Sequence, residues 1–274
     1  MSATPATSTS RPRWRPSALV RASVAAHAAA AVLVTARPAL WPWAIGGLVA
    51  DHALLTASGL WPRSRLLGPN WTRLPLPAAA QRQVAITIDD GPDPEVTPRL
   101  LDVLDRYGAR ATFFCIGERV AAHPGLAREI VRRGHALENH SHRHLHRFSL
   151  LGPRAMAAEV ARAQDEIASA VAEGPRFFRA PAGLRNPFLD PILTRLGLQL
   201  ASWTRRGFDT VTGCPDVVLA RLVRCLGAGD ILLLHDGNAA RTPAGVPVAV
   251  EVLPRLLETV AAQRLMPVTL RAAL

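Results

Sequence analysis

Lysine is absent from this 274-residue chain; its thirty-two basic residues are all arginine, a bias we assign to coding rather than to function. Cysteine is scarce. Cys115, Cys214 and Cys225 leave at least one thiol unpaired and show no CxxC spacing, which excludes a disulfide framework and a cysteine-built zinc site and suits a reducing compartment. Also missing is any basic stripe with interleaved aromatics, or any nucleic-acid motif, so the net charge of +11 does not announce a nucleic-acid partner. The charge is unevenly spread: residues 1–80 hold eight arginines against one acidic residue, and residues 81–274 twenty-four against twenty. An excess beside an apolar region suits anionic lipid headgroups better than a phosphate groove. With 49% apolar and 19% charged residues, the chain is long enough for one large core plus a membrane-associated part.

Two apolar stretches lie between Ala22 and Leu60, separated by Arg37-Pro38 and Trp41-Pro42-Trp43. The first, Ala22–Ala36, reaches only ~22 Å as a helix and falls short of a ~30 Å hydrocarbon core unless Arg21 and Arg37 snorkel. The second, Ala39–Leu60, is long enough but carries Asp51, which costs on the order of 3 kcal/mol at mid-membrane unless paired. A hairpin turning near residue 39 brings His27 level with Asp51-His52, where they can satisfy one another. A cleaved signal peptide followed by a linker is the rival reading, but no small-residue cleavage site follows the first stretch cleanly. The chain is thus divided into a basic tail (1–17), a transmembrane helical hairpin (18–65), a Pro-rich linker (66–80) and a C-terminal domain (81–274). Arg11, Arg13 and Arg15 before the hairpin, and Arg63 and Arg65 after it, place both ends on the cytoplasmic side by the positive-inside tendency, although Arg37 in the outer loop weakens the asymmetry.

From residue 81 onward short apolar strands alternate with amphipathic helices. Strands are predicted at Val84–Ile88, Ala111–Cys115, Arg176–Phe178, Leu198–Trp203 and Asp230–Leu234. Helices are predicted from Thr97-Pro98, where Thr97 acts as the cap, to Gly108, and over Pro124–Arg133, Pro153–Ala172, Pro187–Leu196, Pro215–Leu226 and Pro247–Gln263. This alternation favours a parallel α/β sheet, and polar residues at successive strand ends favour a barrel, although periodicity alone does not separate a closed barrel from an open sheet.

Two of those strand ends carry chemistry. Asp89-Asp90 follows Val84–Ile88, and Gly91-Pro92 stops the strand. Adjacent ionised carboxylates repel unless a cation or an arginine offsets them. About fifty residues on comes His140-Ser141-His142-Arg143-His144, whose outer histidines, four apart, can point the same way from one helical turn. Carboxylate plus two neutral imidazoles suits Zn²⁺ or a similar divalent ion and leaves a coordination position for water.

With these parts the chain resembles the polysaccharide deacetylase family, also called the NodB-homology or carbohydrate esterase 4 family, from about Gln81 to the C-terminus. Its first motif, Thr-Phe-Asp-Asp-Gly-Pro, is matched by Thr87-Ile88-Asp89-Asp90-Gly91-Pro92, which implies Asp89 as general base and Asp90 as metal ligand. The histidine motif implies His140 and His144 as the other ligands and leaves His142 a bystander. The third motif, Arg-x-Pro-aromatic-Gly, appears as Arg179-Ala180-Pro181-Ala182-Gly183: the arginine that steadies the base is present, the aromatic ring is not, and Ala182 retains the backbone N–H for an oxyanion. The fourth, Asp-x-x-Asp-Trp, is the weakest match: in Arg206-Gly207-Phe208-Asp209-Thr210 only Asp209 remains, to orient the catalytic acid. The fifth, Leu-x-His, is Leu233-Leu234-His235, with His235 as that acid. Pro92, Ala182, Trp203 and Leu233 are expected at the substrate. The implied fold is an irregular (β/α) barrel of about seven strands, preceded here by the membrane-associated hairpin.

The chemistry is coherent without the family name. Asp90, His140 and His144 hold one divalent ion, Asp89 takes a proton from water, and a protonated His235 beside Asp209 returns one to a departing amine. The expected activity is hydrolytic removal of an N-acyl group, chiefly N-acetyl, from an amino-sugar glycan. Deformylation of a lipid-linked amino sugar at the cytoplasmic face is the nearest alternative. A catalytically inactive glycan-binding protein and a basic membrane-docking scaffold are the rivals of other classes. His123, His135 and His146 are read as surface or packing residues.

Overall fold

The computed structural model describes residues 13–274, so Arg11 of the basic tail lies outside the described residues. Helix α1 (Ala18–Ala36) opens on Ser17, whose hydroxyl accepts the Val20 N–H. Such a cap satisfies a backbone donor that the helix itself cannot. A single 3₁₀ turn at Pro38–Leu40 leads into α2 (Trp41–Leu60), which returns alongside α1. Among the described residues α1 is the one helix with the length and mean hydropathy to cross a membrane; α2 is diluted by Asp51, His52 and its Trp-Pro-Trp start. The hairpin turns where expected and brings His27 to the Asp51-His52 pair, with Ser23 as a further partner. Ser23 Oγ donates to Asp51 at 2.7 Å, the His27 and His52 Nε2 atoms lie 3.3 Å apart, and His27 stands 3.9 Å from Asp51.

The next segment, 66–80, is packed rather than extended. Leu67 and Leu74 are buried, Trp71 forms a parallel bridge with Ala201, and a short helix α3 (Leu76–Ala80) follows. Beyond it lie eight parallel strands: β1 (Gln83–Gly91), β2 (Thr112–Cys115), β3 (Ala136–Asn139), β4 (Phe177–Phe178), β5 (Gln199–Leu200), β6 (Arg205–Arg206), β7 (Ile231–His235) and β8 (Met266–Val268). Their order is β5-β4-β3-β2-β1-β7-β6, with β8 pairing the start of β1. The sheet curls until its edges β5 and β6 approach. The seam between them is covered by residues 71–74: Trp71 N–H donates to Leu200 O, Ser202 N–H to Trp71 O, and Leu74 N–H to Gly229 O.

Outside the sheet lie α4 (Val96–Arg106), α5 (Gly117–Ala122), α6 (Pro124–Arg132), α7 (Pro153–Val171), α8 (Leu189–Leu196), α9 (Pro215–Val223) and α10 (Val248–Ala262). The expected strands and helices are present within a few residues, and β3, β6, β8, α3 and α5 are additions. These are short and lack a full turn of periodicity from which to be read. Thr97 does not cap α4. That place is taken by Asp93, whose Oδ1 accepts the N–H groups of Glu95 and Val96, while the Thr97 hydroxyl donates to Asp236.

Side chains alternate along a strand, and this sorts the core. Val84, Ile86 and Ile88 of β1 and Leu232 and Leu234 of β7 pack outward against the helices, together with Leu100, Leu104, Leu253 and Leu256. Ala85, Phe114, Phe177, Ile231 and Leu233 fill the interior of the curl with Trp203 and Leu270. Burial of each large apolar side chain contributes about 1.5–3 kcal/mol. On the inner face, Thr87 and Asp89 continue the row of Ala85, and His235 continues that of Leu233. The core alternation therefore aims these polar side chains at the C-terminal mouth.

Candidate active site

Asp89 and His235 are register partners on adjacent parallel strands and stand at the same height at the mouth. Strict alternation would send Asp90 outward with Ile88. The pairing of β1 with β2 slips between Asp89 and Gly91, however, and Asp90 takes a positive φ of 76°. This bulge turns its carboxylate to the same side as Asp89; bulges commonly re-aim a side chain next to an active site. Ser141, His144, Ala182, Phe208 and Asn238 also have positive φ. Non-glycine residues in that region store strain of about 1–3 kcal/mol each, and such strain clusters at functional sites.

Asp90 Oδ1 lies 3.3 Å from His140 Nε2 and 3.3 Å from His144 Nε2. The same oxygen is buried without a hydrogen-bond partner, whereas Oδ2 accepts from Asn238 Nδ2 at 3.0 Å. His140 places its Nδ1 2.8 Å from the Arg179 carbonyl, so that Nδ1–H donates and Nε2 presents its lone pair to the centre. Orientation of a ligating imidazole through its other nitrogen is the usual outer support of a metal site. One buried, unpartnered carboxylate oxygen converging with two imidazole nitrogens is a donor set that fits one divalent ion. His140 and His144 do not share a helical turn as expected; they sit on a loop. Asn139 Oδ1 accepts the Ser141 N–H, and Ser141 Oγ accepts the His144 N–H, which folds the loop so that both rings face Asp90.

Asp89 is held by Arg179, whose Nη1 donates to Asp89 Oδ1 at 2.7 Å and to Thr87 Oγ1 at 2.8 Å. Arg179 is fully enclosed. Nε donates to Ala201 O, Nη2 to Ser202 O, and the guanidinium lies 4.1 Å from the Phe114 ring centroid. Asp89 Oδ2 faces the centre, 3.7 Å from His140 Nε2. Across the mouth, Asp209 grips His235 twice, accepting its backbone N–H through Oδ2 at 2.7 Å and pairing Oδ1 with Nδ1 at 2.9 Å.

These contacts set the proton affinities. Burial opposes the charged form of His235, but the Asp209 carboxylate outweighs it and raises the imidazole above its ordinary value. Burial likewise works against ionised Asp90, yet the charges of the neighbouring His140 and His144 hold it well below the usual carboxylate range. His144 is pushed down to about 4 by burial and by the neighbouring His140, so it is neutral and free to ligate at pH 7.

The pocket is lined by Asp89, Asp90, His140, His144, Ala182, Trp203, Leu233 and His235, among others. Pro92 is buried and does not line it. Several residues at the pocket escaped the sequence reading. Asn238 supports Asp90, His146 lines the cavity beside His144, and Arg206 forms part of the wall. Asn238 arrives through a contact that spans 148 residues, whereas His146 and Arg206 sit next to motif residues in sequence and are brought to the pocket by the fold of their own loops. Asp236, below Gly91, is fully buried, and burial raises it to about 7. Its oxygens take the Thr97 hydroxyl and the Gly237 N–H.

Residues 77–201 match the family described as polysaccharide deacetylase. A peptidoglycan-N-acetylglucosamine deacetylase of Bacillus cereus is 34% identical over 178 residues, which cover 64% of this chain and 82% of that protein. A chitooligosaccharide deacetylase of Bradyrhizobium is 36% identical over 57% of this chain and 71% of its own length. Among solved structures, a family 4 carbohydrate esterase from Streptomyces lividans in complex with acetate superposes with a TM-score of 0.61. It is 33% identical, and the match covers 68% of this chain and 91% of that one. The curled parallel sheet, the converging carboxylate and histidines, and these likenesses agree: the chain belongs to the polysaccharide deacetylase family, the carbohydrate deacetylases of carbohydrate esterase family 4.

Proposed function

We propose that this protein removes the N-acyl group, chiefly N-acetyl, from an amino-sugar glycan in a metal-dependent hydrolysis, with Asp89 as base and His235 as acid. The observation that carries the reading is the buried, unpartnered Asp90 Oδ1 at 3.3 Å from two imidazole nitrogens, beside a second carboxylate held by a buried arginine. Asp90, His140 and His144 would hold the ion, with zinc the best match to the donor set. When bound, it supplies Lewis acidity toward an amide carbonyl and a water.

The remaining work falls to the chain. Arg179 fixes Oδ1 of Asp89, which leaves Oδ2 to take a proton from water. Asp209 holds Nδ1–H of His235, so the other ring nitrogen presents its proton to the departing amine. The Ala182 N–H suits a developing oxyanion. Trp203 and Leu233 supply apolar contact for the acyl group, whereas Pro92 supports the turn rather than the substrate. The printed names of the relatives favour N-acetylglucosamine glycans as substrates. Retention of the Asp209–His235 pair speaks against an inactive glycan-binding protein, despite the decayed fourth motif.

The docking of the hairpin favours a second reading of the substrate. Arg185 N–H donates to Gly59 O in the last turn of α2, and Pro62 packs against Gly183 of the third motif. The pocket wall is thus continuous with the anchor, as deformylation or deacetylation of a lipid-linked amino sugar would require. On this reading α1 and α2 anchor the protein, with the catalytic residues on the cytoplasmic side.

The test is product analysis. Full-length protein in detergent is incubated with N-acetylated chitooligosaccharides and with a lipid-linked formamido sugar, and the released acid is identified. Acetate or formate release that stops on chelation and returns with Zn²⁺ is the expected result. No acid from any substrate with the ion loaded would overturn the reading.

A further inference from the structure

Beside the catalytic pocket runs a groove walled by Trp61, Arg63, Trp203, Arg206 and Phe208, and Trp203 and Arg206 belong to both cavities. Arg206 is held there. Its guanidinium carbon lies 5.4 Å from the Trp203 ring centroid and 4.9 Å from that of Phe208, and its Nε is buried without a hydrogen-bond partner. Arg221 adds a further cation, 5.4 Å from the Phe208 centroid. Opposite, Arg63 makes one long contact, 3.5 Å to the Thr204 carbonyl.

Among the described residues none of these three arginines has a carboxylate within ion-pair distance. The adjoining Arg205 and Arg73, by contrast, share the carboxylate of Asp230. An arginine that serves only solubility turns its guanidinium to water, but Arg206 is pinned between two rings with a donor unsatisfied. A buried donor left unsatisfied is destabilising until a partner arrives. Arg206 also occupies the position of the first acid in the family's fourth motif, so the sign of the charge on this wall is reversed.

The geometry points to an anion subsite, and we propose that Arg206 and Arg63 bind an oxyanion, phosphate or carboxylate, carried by the amino-sugar substrate next to its acylated residue. Planar guanidinium groups match both groups in two-point geometry. The exposed faces of Trp61 and Phe208, at 60% and 44% accessibility, flank the place where the rest of the substrate would lie. Trp61 and Arg63 follow directly on α2, so the groove opens beside the end of the hairpin.

This inference rests on the proposed deacylation, and the experiment separates the two. Full-length, metal-loaded protein is assayed with four matched compounds: N,N′-diacetylchitobiose, its 1-phosphate, the same phosphate esterified to a short prenol, and an N-acetylglucosaminyl-N-acetylmuramic acid disaccharide bearing a carboxylate. The expected result is a kcat/KM for at least one anionic compound about tenfold or more above the neutral one, expressed in KM. That ratio should fall to within about twofold in Arg206→Gln and, as a milder surface change, in Arg63→Gln. The favoured compound identifies the anion as a lipid-linked phosphate, a free phosphate or a carboxylate. Equal kcat/KM for all four, or a ratio unchanged in both variants, overturns the subsite. If no compound is hydrolysed, the proposed activity fails by itself, and calorimetric binding of the same four to the Asp89→Asn protein still decides: tighter binding of an anionic member supports the subsite, and equal binding overturns it.

Discussion

Arg179 donates from Nη1 to Asp89 Oδ1 at 2.7 Å, and both side chains are buried. An arginine this enclosed is stable only with its partners: Asp89, Thr87 and the carbonyls of Ala201 and Ser202 take its donors, and Phe114 stacks on it. Removing one member of a buried pair leaves an uncompensated charge and costs about 3–5 kcal/mol. Arg179→Met is therefore expected to lower stability by that amount as well as abolish turnover. Denaturant unfolding followed by tryptophan fluorescence measures it, and a variant as stable as the wild type would contradict the structural half of this role.

The proposed ligand and base roles are separable by mutation. Asp90→Ala, His140→Ala and His144→Ala should each reduce bound zinc, measured by elemental analysis of protein dialysed against buffered metal. Asp89→Asn should keep the metal and lose turnover by a factor of about 10²–10⁴, the usual contribution of a general base. Undiminished metal in the first three, or activity in the last, sinks the assignment.

The pH profile reports on His235. Its folded pKa lies above the ordinary imidazole value because Asp209 outweighs burial, and the acid works only when protonated. Activity should therefore fall as pH rises through that folded value. Asp209→Asn removes the raising charge and should move the alkaline limb of kcat/KM to lower pH by about 1 unit or more. An unmoved limb would assign it to another group.

Acyl tolerance should be broad. Ala182 and Thr210 line the pocket where the family motifs carry large rings, and Trp203, which also lines it, is held in the core against Gly183. One methylene of contact is worth about 1–3 kcal/mol in a fitted pocket. N-propionyl oligosaccharide should thus be cleaved within about tenfold of N-acetyl, and Ala182→Tyr should restore a sharp preference for acetyl. A steep fall beyond acetyl in the wild type refutes this.

The arginines at both ends of the hairpin, Arg13 and Arg15 before α1 and Arg63 and Arg65 after α2, predict that the C-terminal domain lies on the cytoplasmic side. A C-terminal fluorescent reporter that matures in the cytoplasm should be active, and an alkaline phosphatase fusion at the same place silent. The opposite pair of readings places the active site outside.

Much of this site was legible in the sequence, because its parts are short motifs at strand ends. Val84–Ile88 and Ile231–Leu234 are apolar enough to be read as buried strands, so Asp89 and His235 fall at one edge of one sheet. Arg179 and Asp209 follow from the family spacing. The hairpin was legible too, from two apolar stretches around Arg37-Pro38.

Tertiary structure decided what depends on direction and on distant partners. Alternation alone turns Asp90 away from Asp89; only the slipped register and a positive φ bring it round. The His140–His144 spacing suggested a helical turn, yet the rings converge because Asn139 and Ser141 fold a loop. Asn238 meets Asp90 across 148 residues, and Trp71 reaches Ala201 to cover the seam of the sheet. Arg206 looked like a lost acid in a decayed motif and proves to be a stacked cation at the pocket wall. Local sequence determines which residues have the chemistry and which strand ends carry them. Their convergence is set by the closure of the chain on itself, through contacts that no short window of sequence contains.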